Sequence, residues 1–342
     1  MLKEFLTATT PALEKTIITP NRRVDLGIAW EWEYDQAFIE HLQGTCASKG
    51  ISTCVIAPAS VEKITAKYRS GEFLFDFYLD RGSDAAKEFL PLAQLVEQSG
   101  SRIINHYAAM QWAMDKATMH LEFLAAGLDV PYTIILSPYS KQPEVEIAAF
   151  DKLSRPFIIK PAIGGGGVGV VTGAETLADI VQARMSQNRQ KYLLQKKVEP
   201  VMLGHKRAWF RAYYVLGDTY LVWWDDLTHV YQYLGPVEER EFYLSPLRGL
   251  ITKIAKISGL DFFSAEIALT PDGRFVVVDY VNEVCDMRSQ SAHADGVPER
   301  LLHDIISSLA GYVVREKRKA RVKEQYAHEA ISRNYGHHAF VV

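Results

Sequence analysis

Residues 155–172 combine a lysine with closely spaced glycines, and both residue types suit a phosphate chain. The run Phe157-Ile158-Ile159-Lys160-Pro161 is followed by Gly164, Gly165, Gly166, Gly167 and Gly169. Glycines let successive backbone amides point in one direction, and a lysine ammonium pairs with phosphate. Ordering so many glycines without a ligand would be costly, so we favour a phosphate-binding flap over an ordinary glycine-rich hairpin.

Two common phosphate motifs do not describe this stretch. Gly164 to Gly169 fits G-x-G-x-x-G by letters, but the dinucleotide fingerprint needs a helix there, and Val168–Thr172 is typical of a strand. A P-loop is excluded because Lys160 precedes the glycines and no Gly-Lys-Ser/Thr follows them. The pattern predicts a strand, a glycine loop and a second strand, which together close over a triphosphate.

A pair of carboxylates farther along the chain indicates a metal site. The runs Phe263–Thr270 and Phe275–Val281 predict a hairpin, and pairing Thr270 with Phe275 places Glu266 opposite Asp279 on one face. Opposed carboxylates among apolar neighbours repel each other unless a cation or proton intervenes. A divalent metal is the economical answer, with Asn282 as a further oxygen, and Mg²⁺ prefers such ligands. The alternative is a sheet whose polar face is simply wet.

Other polar side chains have weaker signals. Arg211 lies in a predicted strand, and Arg288 follows the acidic hairpin, where it could hold a substrate carboxylate or a transferring phosphoryl group. The strand-like run Tyr192–Pro200 could offer backbone groups and the Gln195 amide to a purine. A solvated helix lysine is the ordinary interpretation of Lys116 taken alone.

Alternating strands and helices over residues 24–105 predict a parallel sheet, whose strand ends are where ligands bind. Four charged side chains follow these strands and are either ligand-facing or ordinary turn and cap residues: Glu31, Glu33, Asp80 and Arg81. The later elements are predicted to be one helix over Ala108–Ala126, a strand at Tyr132–Leu136, a helix over Ala174–Met185 and a last helix over Pro298–Val314.

Composition excludes several classes of protein. The chain has 342 residues, enough for two or three lobes, with 48% hydrophobic and 23% charged residues and a net charge of −3. This charge predicts neither a nucleic-acid partner nor an anionic membrane partner. Three cysteines without C-x-x-C spacing, no signal-like start and no long apolar run lead us to expect a cytoplasmic protein.

In this order, the motifs resemble those of the ATP-grasp superfamily over roughly residues 105–314. The matching positions are Lys116, Phe157–Pro161 with its glycine flap, Gln195–Val198, Arg211, Glu266, Asp279 and Asn282. The resemblance implies an α/β and α+β protein in which two α+β lobes clasp ATP after a small parallel-sheet lobe. The implied divisions are an N-terminal domain at 1–105, a nucleotide lobe at 106–191, a metal-binding lobe at 192–316 and a tail at 317–342.

The resemblance also implies roles for individual residues. Lys116, Lys160 and the flap would hold the ATP phosphates, and Gln195, Lys197 and Val198 would hold the adenine. Mg²⁺ or Mn²⁺ would bind to Glu266, Asp279 and Asn282. Most members of the superfamily convert a carboxylate to an acyl phosphate, which an amine then attacks, with a residue such as Arg211 stabilising the developing charge.

The sequence departs from the family pattern in two places. Two residues rather than one separate Asp279 from Asn282, so Asn282 reaches the metal face only if a bulge or strand end intervenes. Trp209 also stands where the family often has an aspartate, two positions before the arginine.

Three functions remain open from the sequence. The first is a carboxylate–amine ligase with small-molecule substrates, the second is a small-molecule kinase, and the third is a nucleotide-binding regulator without catalysis. A polyphosphorylated acceptor would call for clustered cations at the strand ends of the first lobe, where acids predominate instead. The tail beyond residue 314 is basic and then histidine-bearing, and it offers a surface for a second copy of the chain.

Overall fold

The computed structural model describes residues 22–145 and 150–336. The start of the predicted N-terminal domain and residues 337–342 of the predicted tail lie outside these ranges. The described chain contains three sheets of four or five strands and one short two-stranded hairpin.

The first sheet confirms the predicted parallel lobe. Its strand order is β2-β1-β3-β4 with all neighbours parallel, and the strands are β1 Arg23–Trp30, β2 Thr53–Ile56, β3 Leu74–Arg81 and β4 Arg102–Ile104. The covering helices are α1 Gln36–Ser48, α2 Val61–Arg69 and α3 Leu90–Gln98. Apolar side chains alternate into the sheet from both sides, which is how a parallel sheet excludes water from both faces.

The chain next forms two helices where one was predicted over Ala108–Ala126. Helix α4 spans Tyr107–Met114 and α5 spans Lys116–Ala125. Asp115 adopts an extended conformation between them, and its carboxylate accepts hydrogen bonds from the backbone amides of Ala117 and Thr118 at 3.0 and 3.4 Å. An aspartate that caps a new helix ends the old one, so Lys116 becomes the first residue of α5.

The second sheet is antiparallel and carries the glycine loop. Its order is β5-β8-β6-β7, with β5 Thr133–Leu136, β6 Phe157–Pro161, β7 Val171–Ala174 and β8 Tyr192–Lys196, and its helices are α6 Phe150–Leu153 and α7 Leu177–Ser186. The strand predicted over Val168–Thr172 begins later, because glycines with positive φ turn the chain as far as Gly169. Strand β8 pairs with β5 and β6, so a boundary after residue 191 separates it from its own sheet.

The third sheet is antiparallel with the order β13-β12-β11-β14-β15. Its strands are β11 Trp209–Val215, β12 Asp218–Trp224, β13 Tyr231–Tyr233, β14 Phe262–Leu269 and β15 Phe275–Asn282. Helix α9, Pro246–Ser258, packs against β11 and β12. Three short elements were not predicted: the hairpin of β9 Met202–Leu203 with β10 Lys206–Arg207, strand β13, and helix α8 Pro236–Glu241.

The last helix, α10, spans Glu299–Gly336, so the predicted end at Val314 is wrong. Its first half buries leucine and isoleucine side chains in a core shared by the first and third sheets. Beyond Val313 it continues past this core, and Lys317 forms an ion pair with Asp25 of β1. The tail boundary placed at 316/317 therefore lies inside one continuous helix.

Asn105 joins the first sheet to the third. It follows β4 with a φ of 56°, a left-handed conformation that asparagine tolerates better than most residues. Its side-chain oxygen accepts from the amides of Asp261 and Phe262 at 2.9 and 3.0 Å, and its amide donates to the carbonyls of Phe262 and Glu283. One buried side chain thus holds the start of β14 beside the end of β15.

Replacing Asn105 by Ala should lower the free energy of unfolding by about 3 kcal/mol, because buried backbone groups lose their partners. Urea denaturation measures this change. The exposed Asn188 supplies the control, since Asn188→Ala should shift stability by less than about 0.5 kcal/mol. Equal small effects of both substitutions would contradict the proposed joint.

Candidate active site

Three charged side chains form a row across the third sheet. Arg211 on β11 lies directly opposite Glu266 on β14, and Glu266 lies directly opposite Asp279 on β15. Arg211 forms an ion pair with Glu266, and the Trp209 indole donates to the other Glu266 oxygen at 3.3 Å. The sheet register therefore brings together a cation and the two acids that the sequence predicted to face each other.

Glu266 and Asp279 face each other as predicted, but through a different strand pairing. Leu269, not Thr270, pairs with Phe275, so the hairpin starts one residue out of the expected register. An extra residue on β15, Val278, then restores the register and places Asp279 opposite Glu266.

A second irregularity brings Asn282 to the same place. This irregularity lies between the pair Glu266–Asp279 and the pair Ser264–Asn282, as the two residues between Asp279 and Asn282 require. The Asn282 amide donates to an Asp279 oxygen at 3.3 Å. The expected bulge is confirmed, and all three predicted metal-binding side chains lie at one end of the hairpin.

Lys160 on β6 reaches this hairpin from the second sheet. Its ammonium donates to the carbonyl of Val278 at 3.0 Å, the residue that the bulge leaves unpaired in the ladder, and it lies 5.3 Å from the centre of the Tyr280 ring. The side chain is only 7% exposed, and this burial lowers the pKa of Lys160 to about 8, with Lys116 adding to the effect and Asp279 opposing it.

Lys116 connects the same acids with the flap. At the start of α5 its ammonium donates to the carbonyl of Gly164, the first glycine of the loop. Burial by itself would raise the pKa of Asp279, but Lys116, Lys160 and Arg211 hold that pKa below its usual value. The flap base, two lysines and the acidic row therefore belong to one electrostatic site.

The glycine loop is exposed from Gly164 to Gly169. Within it, the Val168 amide donates to the Gly165 carbonyl at 3.2 Å and the Val170 amide donates to the Gly167 carbonyl at 3.1 Å. A β-carbon added at Gly165, Gly166 or Gly167 would meet no other atom within 4 Å. The need for glycine is therefore conformational at Gly166 and Gly167, where φ is 60° and 73°.

The three residues predicted to contact adenine lie in two different environments. Gln195 is buried, and its amide donates to the Tyr280 hydroxyl at 2.9 Å and to the Thr133 hydroxyl at 3.2 Å. Lys197 is exposed and paired with Glu199 at 2.8 Å, while Val198 is half-buried beside it. Gln195 thus lies in an internal network with Tyr280, apart from the polar end of the strand.

His120 and Tyr280 belong to this site but escaped the sequence analysis. The Tyr280 hydroxyl lies 2.6 Å from His120 Nδ1, and both side chains are buried. A histidine on a helix and a tyrosine beside an acidic residue carry no pattern that distinguishes them from core residues. Only the contact between α5 and β15 reveals them.

Arg211 is packed between aromatic rings. Its guanidinium lies 4.6 Å from the Trp224 ring centre and 5.8 Å from that of Tyr231, and its Nε is buried without a hydrogen-bond partner. An unpartnered buried donor beside the acidic row suits an anion brought in by a substrate.

Arg288, the other predicted catalytic arginine, is already paired with acids. It contacts Asp286 at 2.7 Å and Asp295 at 3.0 Å, with its guanidinium 5.7 Å from the Trp32 ring centre. Binding a substrate carboxylate there would require exchange with these partners, so that role stays a prediction.

Two of the charged residues after the strands of the first sheet have structural roles. Asp80 accepts from the amides of Gly82 and Ser83 and so caps a turn. Arg81 is buried, pairs with both oxygens of Asp35 and donates to the Cys285 carbonyl at 2.9 Å. Glu31 is half-buried and Glu33 is exposed, which leaves these two as the acids at the strand ends.

A divalent cation fits the oxygen donors that the hairpin presents. Among residues 22–145 and 150–336, no group of three or more His, Cys, Asp or Glu side chains could hold a metal. The predicted set, however, comprises two carboxylates and the Asn282 amide, and Mg²⁺ commonly binds through one or two carboxylates together with substrate phosphates. The neighbouring lysines complete a site suited to a metal–polyphosphate complex.

Comparison of the whole chain with solved structures identifies the architecture. A RimK-domain ATP-grasp protein from Sphaerobacter thermophilus superposes with a TM-score of 0.58 at 22% identity, covering 84% of this chain and 99% of that one. The chain has the ATP-grasp fold. Its predicted fold class is therefore confirmed.

Two further ATP-grasp-fold neighbours are enzymes by name. D-alanine–D-alanine ligase from Bacillus anthracis, complexed with ATP, has a TM-score of 0.58 at 16% identity and covers 86% of this chain and 99% of its own. The macrocyclase MdnB from Microcystis aeruginosa has a TM-score of 0.55 at 16% identity, covering 85% and 99% respectively. No family model and no curated protein sequence matches the chain. Within the described ranges, no helix has the length and hydropathy of a bilayer-spanning segment.

The buried His120 predicts a pH dependence of stability. Burial and the charge of Lys160 lower the pKa of His120 from 6.5 to about 4. Between these values the unfolded chain binds a proton that the folded chain does not, so the free energy of unfolding should fall as the pH drops from 6.5 to 4.

His120→Gln should remove this part of the slope, on the order of 2 kcal/mol across the window. Urea denaturation at several pH values measures it. The exposed His205 provides the matched control, His205→Gln, which should retain the wild-type slope. Parallel slopes for wild type and His120→Gln would contradict a neutral buried imidazole.

Proposed function

We propose that this protein is an ATP-dependent ligase that activates a carboxylate as an acyl phosphate and joins it to an amine, releasing ADP and phosphate. The observation that carries the proposal is the convergence of Lys116, Lys160 and Arg211 with Glu266 and Asp279 beside a glycine flap. Cations suit the phosphates and the acids suit their metal, so the two sets together favour a metal–nucleotide complex over either component alone.

Each residue has a role in this proposal. Lys116, Lys160 and the flap amides would hold the phosphates, and Glu266, Asp279 and Asn282 would hold Mg²⁺ or Mn²⁺. The metal would neutralise phosphate charge and so favour phosphoryl transfer. Lys197 and Val198 would border the adenine. Arg211 would stabilise the charge on the transferring phosphoryl group and on the acyl oxygen.

The proposed ligation takes place in two steps. A carboxylate oxygen of the first substrate attacks the γ-phosphorus, and the bond to the ADP oxygen breaks. The amine nitrogen of the second substrate then attacks the acyl carbon, phosphate leaves, and the nitrogen loses a proton. Arg288 is positioned to hold the substrate carboxylate only if Asp286 or Asp295 releases it.

The charges at the strand ends of the first sheet favour ligation over phosphorylation of a polyanion. Arg81 is buried against Asp35, so its charge is neutralised, while Glu31 and Glu33 remain at the strand ends. This balance supports an amine-bearing substrate. The D-alanine–D-alanine ligase and the macrocyclase that share the fold are consistent with this class. Small-molecule substrates and a cytoplasmic setting belong to the same proposal.

A product assay tests the reaction type. Purified protein is incubated with γ-labelled ATP, Mg²⁺, and pooled amines and carboxylates. Ligation should release labelled phosphate together with ADP and an amide product seen by mass spectrometry. Labelled acceptor would instead indicate a kinase, and tight ATP binding without turnover would indicate a regulator.

Lys160→Ala should reduce turnover at least about a hundredfold, because a buried lysine beside the phosphates stabilises the charge of phosphoryl transfer. The exposed Lys256 on α9 provides the control, and Lys256→Ala should keep wild-type turnover. Thermal melting confirms that both variants fold. Retained turnover in folded Lys160→Ala would refute the assignment of Lys160.

Asp279→Asn should raise the Mg²⁺ concentration for half-maximal activity about tenfold or more, because the site loses one negative charge. A titration of activity against Mg²⁺ measures it. Asp272, an exposed turn residue of the same hairpin, provides the control variant Asp272→Asn. An unchanged Mg²⁺ requirement would remove Asp279 from the metal site.

A further inference from the structure

The ammonium of Lys160 is positioned without a carboxylate partner. Within the described ranges no acid lies within ion-pair distance of its Nζ, and its contacts are the Val278 carbonyl at 3.0 Å and the Tyr280 ring at 5.3 Å. A carbonyl and an aromatic face hold a cation in place without neutralising it. The remaining N–H groups and the full charge stay available to an incoming anion.

The Tyr280 ring is itself fixed by three neighbours. Its hydroxyl accepts from the Gln195 amide at 2.9 Å and lies 2.6 Å from His120 Nδ1, while its ring forms a T-shaped pair with Phe123 at a centroid distance of 5.4 Å. The hydroxyl has one proton. Besides accepting from Gln195, the hydroxyl shares a hydrogen bond with His120 Nδ1, and the tautomer of the imidazole decides which of these two atoms donates.

We infer that Tyr280 is a positioning residue for Lys160, and that Gln195 and His120 act on the nucleotide site through the Tyr280 hydroxyl. The inference rests on the proposed function, since it assigns Lys160 to phosphate. It changes the role of Gln195 from an adenine contact to a support beneath the phosphate-binding lysine. The Gln195 amide donates to Tyr280 and Thr133 inside the protein, as this role requires.

The two possible roles of Gln195 predict different effects on the binding of a phosphate ligand that has no base. A residue that reads the purine affects ADP and GDP differently and leaves inorganic tripolyphosphate untouched. A residue that supports Lys160 affects all three ligands by the same factor, because all three present phosphate to the ammonium. Tripolyphosphate is therefore the deciding probe.

The experiment measures dissociation constants for Mg²⁺ complexes of ADP, GDP and tripolyphosphate by calorimetry. Tyr280→Leu removes the ring and should weaken binding of all three about tenfold. Tyr280→Phe keeps the ring and removes the hydroxyl, and it should weaken all three about threefold, as should Gln195→Ala. The exposed Tyr243 provides the control, and Tyr243→Phe should bind like wild type.

The double variant Tyr280→Phe/Gln195→Ala tests whether Gln195 acts through the Tyr280 hydroxyl. If Gln195 acts through the hydroxyl, its loss adds no further weakening of binding once the hydroxyl is gone. The nitrogen resonance of His120 Nδ1, identified by its loss in His120→Gln, should also shift in Tyr280→Phe. Melting temperatures establish that each variant folds.

Three results of these binding measurements would contradict the claims made above. Wild-type binding of tripolyphosphate by folded Tyr280→Leu overturns the positioning role. A loss in Gln195→Ala confined to ADP, with an altered ratio of ADP to GDP affinity, restores Gln195 as a purine contact and overturns the support. If the wild-type protein binds none of the three ligands, the proposed function fails, and the inference fails with it.

Discussion

The mutual neutralisation of buried charges is the constraint on which this site depends. Removing an ion from water costs several kcal/mol even after the protein relaxes, so most buried charges lie beside an opposite one. Arg211, Glu266 and Asp279 meet this condition by lying side by side on three adjacent strands. Sheet register is therefore as important to the site as residue identity, because a shift of one residue would send these side chains to the other face.

The bulge at Val278 shows how one backbone irregularity serves two purposes. It corrects the pairing of β14 with β15 so that Asp279 faces Glu266, and it frees a carbonyl that accepts from Lys160. A regular hairpin with the observed start would provide neither. Here the third sheet gives up one regular pairing position, and it gains a direct hydrogen bond from β6 of the second sheet.

Much of this arrangement could be predicted from the sequence, and the reasons are local. The parallel lobe follows from alternating apolar runs, and the flap follows from the conformational demands of consecutive glycines. The facing of Glu266 and Asp279 was predicted from an assumed pairing that is off by one, so the correct result came through a compensating bulge. The requirement for a second irregularity before Asn282 could be deduced, because strand alternation has a strict period.

The rest depended on contacts between distant segments. Asp115 ends a helix that its neighbours would otherwise continue, and a single cap outweighs weak helix propensity. Strand β13 and the β9–β10 hairpin are too short for periodicity to detect. The network of His120, Gln195 and Tyr280 joins three elements, and the ion pairs of Arg288 form through the folding of its own loop. No spacing rule anticipates either arrangement.

The distribution of cores has a mechanical consequence. Helix α10 shares one apolar core with the first and third sheets, whereas the sheet that carries the flap encloses a core of its own around Phe157, Ile159 and Tyr192. Leu193 of the flap sheet, however, belongs to a further core that includes Phe210 and Ile267 of the third sheet, so tilting the flap sheet would expose apolar side chains to water. The flap sheet is therefore tied to the acidic row by apolar packing as well as by the hydrogen bond from Lys160 to Val278.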